Sequence, residues 1–156
     1  MIKEKLESLK INLPQAPRSA GLYVPVMITG NLVFLSGQLP IAQGVDSSGV
    51  RFKGKVGKDI SIEDGRLAAR LCTLNALSQL EIALGSLDKI NKFIKISGFV
   101  NCEASFTEQS KVIDGASDLI LQIFEERGRH SRVALGMNSL PLDGAVEIDY
   151  IVEKEG

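Results

Sequence analysis

Val112, Ile113, Ala116, Leu119, Ile120, Ile123 and Phe124 recur at the spacing of one face of an α-helix. The pattern predicts a helix over about residues 110–127, with Gly128 as its stop. Strand-like segments flank it. Residues 90–100 alternate, with Ile94 and Ile96 on one face and Phe93 and Lys95 on the other, and residues 132–137 and 145–152 read as two more strands around a turn containing Pro141 and Asp143-Gly144. A helix with so wide an apolar stripe must lie on a sheet, and the flanking strands are the sheet available to it.

The first half of the chain repeats this logic. Residues 22–28 and 32–35 read as strands joined by Thr29-Gly30-Asn31, and Pro25 favours an edge or irregular position for the first of them. Residues 41–59, rich in Gly, Ser and Asp, predict a long loop with a short strand around 50–52. Ser61 with Asp64 three residues on resembles a capping box; Leu67, Leu71, Leu74, Leu77 and Leu84 form an apolar stripe, and Gly85 ends the helix. Ile2, Leu6 and Leu9 give residues 1–14 the character of a short amphipathic extension. The expectation is a single domain over 1–156 of α+β class, a mixed sheet with two helices packed on one face. The other face then lacks cover within one chain, which predicts burial against another subunit.

Composition narrows the function classes. Net charge is −1, and no block of like charges stands out, so no nucleic-acid partner is expected. Apolar runs such as Leu32-Val-Phe-Leu35 are too short to span a bilayer, and the N-terminus lacks a secretory apolar core, so a cytoplasmic protein without membrane contact is expected. The two cysteines, Cys72 and Cys102, stand in no metal-ligand spacing, and the single histidine has no partner for a His-rich site. Neither a metal nor a cofactor is implied. Cys72 reads as buried in a helix, and Cys102, following a strand, as more exposed.

Chemistry concentrates in residues 128–151, which hold His130, Arg129, Arg132 and Glu147. An arginine opening one strand and a glutamate on the next can face each other across a cleft, hold an anionic substrate and activate a water. Arg132 opens an otherwise apolar strand, which suits either a carboxylate fork or a surface ion pair. Glu147 and Asp149 alternate with Val146, Ile148, Tyr150 and Val152, so their face is either a site or simply solvated. His130 can shuttle a proton or cap the preceding helix.

The element order and several short motifs resemble the YjgF/RidA/L-PSP family, in its longer branch of about 150 residues. The motifs are Tyr23, Ser36-Gly37-Gln38-Leu39-Pro40, Gly54-Lys55-Val56-Gly57, Leu74-Asn75-Ala76-Leu77, Asp114-Gly115-Ala116-Ser117-Asp118-Leu119, Gly128-Arg129-His130-Ser131-Arg132, and Leu140-Pro141 followed by Val146-Glu147. The resemblance implies a chorismate-mutase-like fold assembled as a homotrimer with clefts at subunit interfaces. It implies cofactor-free hydrolysis of reactive enamines and imines to 2-oxo acids and ammonia, on a small carboxylate substrate. Other members of the family are described as endoribonucleases, and a metabolite-binding protein without turnover would use the same cleft.

Residue by residue, the resemblance makes Arg132 the partner of the substrate carboxylate and Glu147 the residue that positions water. Tyr23 would wall the cleft, where a core aromatic is the alternative. Ser36 and Gly37 would meet the ligand at a strand end, where a bulge is the alternative. Asp114, where shorter members carry asparagine, and Ser117 would present a polar pair from the helix; the alternative for Asp114 is a first-turn acid. Ala134 stands where the deaminases carry cysteine and would contribute its backbone N–H.

Overall fold

A computed structural model describes all 156 residues. A five-stranded sheet of β1 (Val26–Thr29), β2 (Leu32–Gln38), β3 (Ile90–Asn101), β4 (Ser131–Met137) and β5 (Val146–Lys154) runs in the order β1-β2-β5-β3-β4. Only β3 and β4 are parallel, and α3 (Gln109–Phe124) makes the crossover between them. α2 (Ile62–Leu84) and α3 cover one face, as expected, and a short α1 (Ile2–Ser8) packs beside them through buried Ile2 and Leu6. No helix is long and apolar enough to cross a membrane.

The core lies between sheet and helices. Ile96, Val100, Ile148, Tyr150 and Val152 point up from the sheet to meet Leu77, Leu80, Ile113, Leu119 and Ile120. Each such side chain contributes about 1.5–3 kcal/mol on burial. α3 follows its predicted period closely. α2 does so only in part: Leu77 and Leu84 are buried, but Leu67 is half exposed, while Ala68, Ala69, Cys72 and Ala76 face inward. Small residues let α2 settle close to its neighbours. Gly115 permits the closest approach, since a Cβ there would stand 2.8 Å from the Arg66 carbonyl carbon.

Several boundaries differ from the sequence reading. β1 begins only at Val26, because Pro25 cannot donate to a ladder and restrains Val24 before it. β2 runs on to Gln38 through a bulge: three steps from Leu35 to Gln38 oppose two steps from Tyr150 to Ile148. The strand expected near 50–52 is a single bridge between Ile41 and Val50. α3 ends at Phe124, where Glu125 takes φ 53°, and a 3-10 turn carries the chain to Gly128. Ser61 caps α2 by accepting from the Asp64 N–H at 3.0 Å, and Gly85 closes it in the left-handed region. Cys102, expected to be exposed, is buried where Val56 pairs with it.

The second sheet face is open. Met27, Leu32, Phe34, Val133, Leu135 and Met137 are exposed on it, beside half-buried Phe99 and Ile151. That much contiguous apolar surface is unusual for a chain that stays alone in water.

Candidate functional site

The register separates the two residues expected to face each other. Arg132 pairs with Ile96, which pairs with Tyr150, so all three point to the helix-covered side. Glu147 pairs with Phe99, and Phe99 with Leu135, on the open side. β3 also lies between their strands. Within one chain Arg132 and Glu147 therefore occupy opposite faces and build two distinct half-sites. Within one chain Arg132 and Glu147 do not face each other across a cleft, because residues 132–137 and 145–152, consecutive in sequence, are not neighbours in the sheet.

The first half-site is the junction of β4 with α3. Arg132 Nη1 donates to Asp114 Oδ1 at 2.8 Å and to Ser117 Oγ at 3.0 Å. Its Nη2 donates to the Ser110 hydroxyl at 2.8 Å and to the Ser110 carbonyl oxygen at 3.3 Å. Only Nε lacks an acceptor in the chain. The guanidinium is held in direction, with its side chain 20% exposed. Asp114 also faces Arg66 at 3.9 Å, and Arg66 pairs with Asp118 at 2.6 Å, so two cations and two anions alternate along this helix face. Ser110 was absent from the sequence-derived candidates. Its signal was there, since Ser110, Asp114 and Ser117 stand at i, i+4 and i+7 on one helical face.

His130 completes this half-site. Its Nδ1 lies 2.6 Å from the Gly128 carbonyl oxygen and its Nε2 2.9 Å from Ser117 Oγ. Burial lowers its pKa, assisted by the positive charge of Arg132 and opposed by the bond to Gly128. Ser117, Leu121, Arg129, His130 and Arg132 line an open depression here. Ala134 sits two residues beyond Arg132 on the same face, on a strand that forms the sheet edge.

The second half-site surrounds the β2 bulge. Gly37 stands so close to Glu147 that a Cβ there would lie 3.0 Å from Glu147 Cδ and nearer still to Oε1. Tyr23, half exposed, lines a cleft with Gly37, Gln38, Arg18 and Gln79. Arg18 and Gln79 escaped the sequence reading. Gln79 is there because it donates to the Pro17 carbonyl oxygen at 2.7 Å and fixes the irregular segment carrying Arg18. Ser36 gives its hydroxyl to the Val24 carbonyl oxygen at 2.7 Å, so its side chain ties down the segment beside Tyr23. Glu147 has no hydrogen-bond donor or cation in its chain. Burial raises its pKa, and the neighbouring Asp149 raises it further.

An α+β sheet of this order, with a bulged second strand beside an acid on the open face and a pinned arginine on its parallel edge, defines a class. The chain belongs to the family described as "YjgF/chorismate_mutase-like, putative endoribonuclease", whose model matches residues 3–153. It is 43% identical over 153 residues to Protein TCP17 of Trypanosoma cruzi, covering 97% of this chain and 93% of that protein. Among solved structures it is similar to an Agrobacterium tumefaciens protein of unknown function, with 44% identity, TM-score 0.88, and coverage of 99% of this chain and 92% of that one. It is also similar to a Shewanella oneidensis protein described as a "putative endoribonuclease", with 35% identity, TM-score 0.92, and coverage of 98% and 99%.

Proposed function

We propose that the chain is a cofactor-free hydrolase of small 2-imino and 2-enamino acids, working in clefts shared between copies of a homotrimer. The observation that carries this reading is Glu147, a half-buried carboxyl without a donor, with its pKa raised by burial and lying against a glycine that leaves space beside it. Such a carboxylate takes a proton from water more readily than one held in an ion pair. The water oxygen bonds to the carbon of the protonated imine as the C=N π pair moves to nitrogen and Glu147 accepts a water proton. Glu147 returns that proton to the amino nitrogen of the carbinolamine; the C–N bond then breaks as the hydroxyl oxygen forms the C=O bond, and the ammonia that leaves takes up the hydroxyl proton as ammonium.

Arg132 supplies the complementary charge, offering Nε and whichever Nη hydrogen the substrate carboxylate wins from α3. Because Arg132 and Glu147 point to opposite faces, edge strand β4 of one copy must meet the Tyr23–Gly37–Glu147 side of another. The exposed apolar sheet face favours such an association. A net charge of −1 over the chain favours this reading over ribonuclease activity, since phosphate-backbone binding draws on an excess of cations.

The test generates 2-iminobutanoate in situ with a threonine dehydratase, traps free imine with semicarbazide and follows the 2-oxo acid. The chain is expected to divert imine from the trap, and Glu147→Gln and Arg132→Ala to lose most of that effect. Yields equal to those without protein would reject the reading. Tight 2-oxobutanoate binding without turnover would select a metabolite-binding protein instead.

A further inference from the structure

Ser117 and His130 meet where α3 passes the start of β4, and their hydrogen bonds have a determined direction. The Gly128 carbonyl oxygen, 2.6 Å from His130 Nδ1, can only accept, so Nδ1 carries the hydrogen. In the neutral imidazole favoured by its burial, Nε2 then offers a lone pair to the Ser117 hydroxyl 2.9 Å away. Arg132 Nη1 donates to the same Oγ at 3.0 Å. Hydrogen bonds thus run from guanidinium to hydroxyl to imidazole to carbonyl.

A hydroxyl on a helix commonly bonds back to the carbonyl oxygen four residues earlier, as Thr73 Oγ1 in α2 does to Ala69 at 2.9 Å. Ser117 makes no such bond; its hydroxyl serves His130 and Arg132 alone. A hydroxyl within reach of a base, a third group orienting the base, and a cation beside the oxygen are the requirements of an activated nucleophile. Both residues line the open depression rimmed by Arg129 and Arg132.

We propose that Ser117 is an acyl-accepting nucleophile with His130 as its base, giving the chain an acyl-transfer activity towards small, activated, anionic acyl compounds. Oγ bonds to the acyl carbon as His130 Nε2 takes the hydroxyl proton. The bond from that carbon to the leaving group breaks, and the leaving group departs with the electron pair and receives the proton from Nε2. Water then gives a proton to Nε2 while its oxygen bonds to the acyl carbon. Oγ leaves with its electron pair and recovers that proton, releasing the carboxylic acid. Both activities would use Arg132, but Glu147 takes no part in this one and Ser117 and His130 none in the imine step, so the two are separable.

The probe is acetyl phosphate, incubated with the full chain, quenched in acid and analysed by peptide mass spectrometry, with phosphate release followed in parallel. Expected is one acetyl group on the peptide carrying Ser117, or Ser117-dependent hydrolysis if the acyl-enzyme turns over quickly. His130→Gln is expected to slow either signal by about a hundredfold or more, the contribution of a positioned general base. Ser117→Ala should abolish it; should that variant not fold, His130→Gln, which keeps the serine, decides. Acetylation confined to lysines, hydrolysis no faster than without protein, or equal rates in wild type and His130→Gln would overturn the proposal. None of these outcomes depends on whether the chain hydrolyses imines.

Discussion

Asp114→Asn separates what Arg132 does for the fold from what it does for a ligand, because the two effects carry opposite signs. Asp114 Oδ1 accepts from Arg132 at 2.8 Å, and the amide oxygen of asparagine can keep that bond while the charge is lost. Two unit charges about 4 Å apart attract by about 4 kcal/mol at an effective dielectric of about 20. The Asp114 side chain is 43% exposed, however, so solvent screening reduces the measurable contribution to about 0.5–1 kcal/mol. Stability is expected to fall by that amount. A small carboxylate that binds Arg132 no longer competes with Asp114, so its affinity is expected to rise about two- to fivefold, the same free energy converted at about 1.4 kcal/mol per tenfold. Denaturant titration reads the first effect, and calorimetric titration with 2-oxobutanoate the second. Unchanged or weaker binding in the variant would refute the premise that internal and external carboxylates compete for one guanidinium.

Four further outcomes follow from the geometry. Gly115→Ala forces a methyl against the Arg66 backbone, which cannot swing aside as a side chain can, and is expected to cost about 1–3 kcal/mol; thermal unfolding should drop by about 2–4 °C per kcal/mol in a chain of this size. Gly37→Ala meets the Glu147 side chain first, and a side chain can swing aside, so the melting temperature should hold while imine hydrolysis falls by about a hundredfold or more through displacement of the base. The folded-state pKa of Glu147 lies above 4.5, so the folded chain binds more protons in the interval just above 4.5 and stability falls as pH rises through it. Glu147→Gln should therefore exceed wild type in stability at neutral pH and lose that advantage below 4.5, as a denaturant series over pH will show. For His130 the sign reverses: its folded pKa lies below 6.5, the unfolded chain binds more protons there, and wild type should lose stability as pH falls through 6.5 in a way that His130→Gln does not.

What was legible in the sequence was local. α3 announced itself because six of its seven periodic apolar residues are large, and all seven, small Ala116 included, face the core. α2 was legible in part: Leu77 and Leu84 are buried as their spacing predicts, but Leu67 is exposed, and counting leucines overlooks Ala68, Ala69 and Ala76, which face inward. The end of α3 was misplaced because a glutamate, rather than the nearby glycine, takes the positive φ. At the site, the individual residues were readable but their grouping was not. Whether Arg132 and Glu147 share a face depends on β3 lying between their strands, a pairing between segments distant in sequence that no local pattern encodes. Arg18 was invisible for a related reason, since its irregular segment is held by α2, through Ser78 to the Pro14 carbonyl oxygen and Gln79 to the Pro17 carbonyl oxygen.

The cluster around Arg132 is a poor way to pin a strand and a good way to aim a charge. β4 is a sheet edge whose helix-facing positions lie beside Ile96 and Val100, where an apolar side chain would join the core directly. Replacing a partly buried ion pair by apolar residues of similar volume is often neutral or stabilising, because desolvation offsets much of the attraction. Here α3 commits Ser110, Asp114 and Ser117 to a single guanidinium, and Arg66 is drawn in to balance the second acid. That arrangement adds little stability beyond what packing would give. It does fix the plane and direction of a cation on an edge strand whose outer side is unpaired, with Nε left open and a serine–histidine pair at its side. Over-determined polar geometry at a place where packing would suffice supports the proposal that Arg132 meets a group outside its own chain.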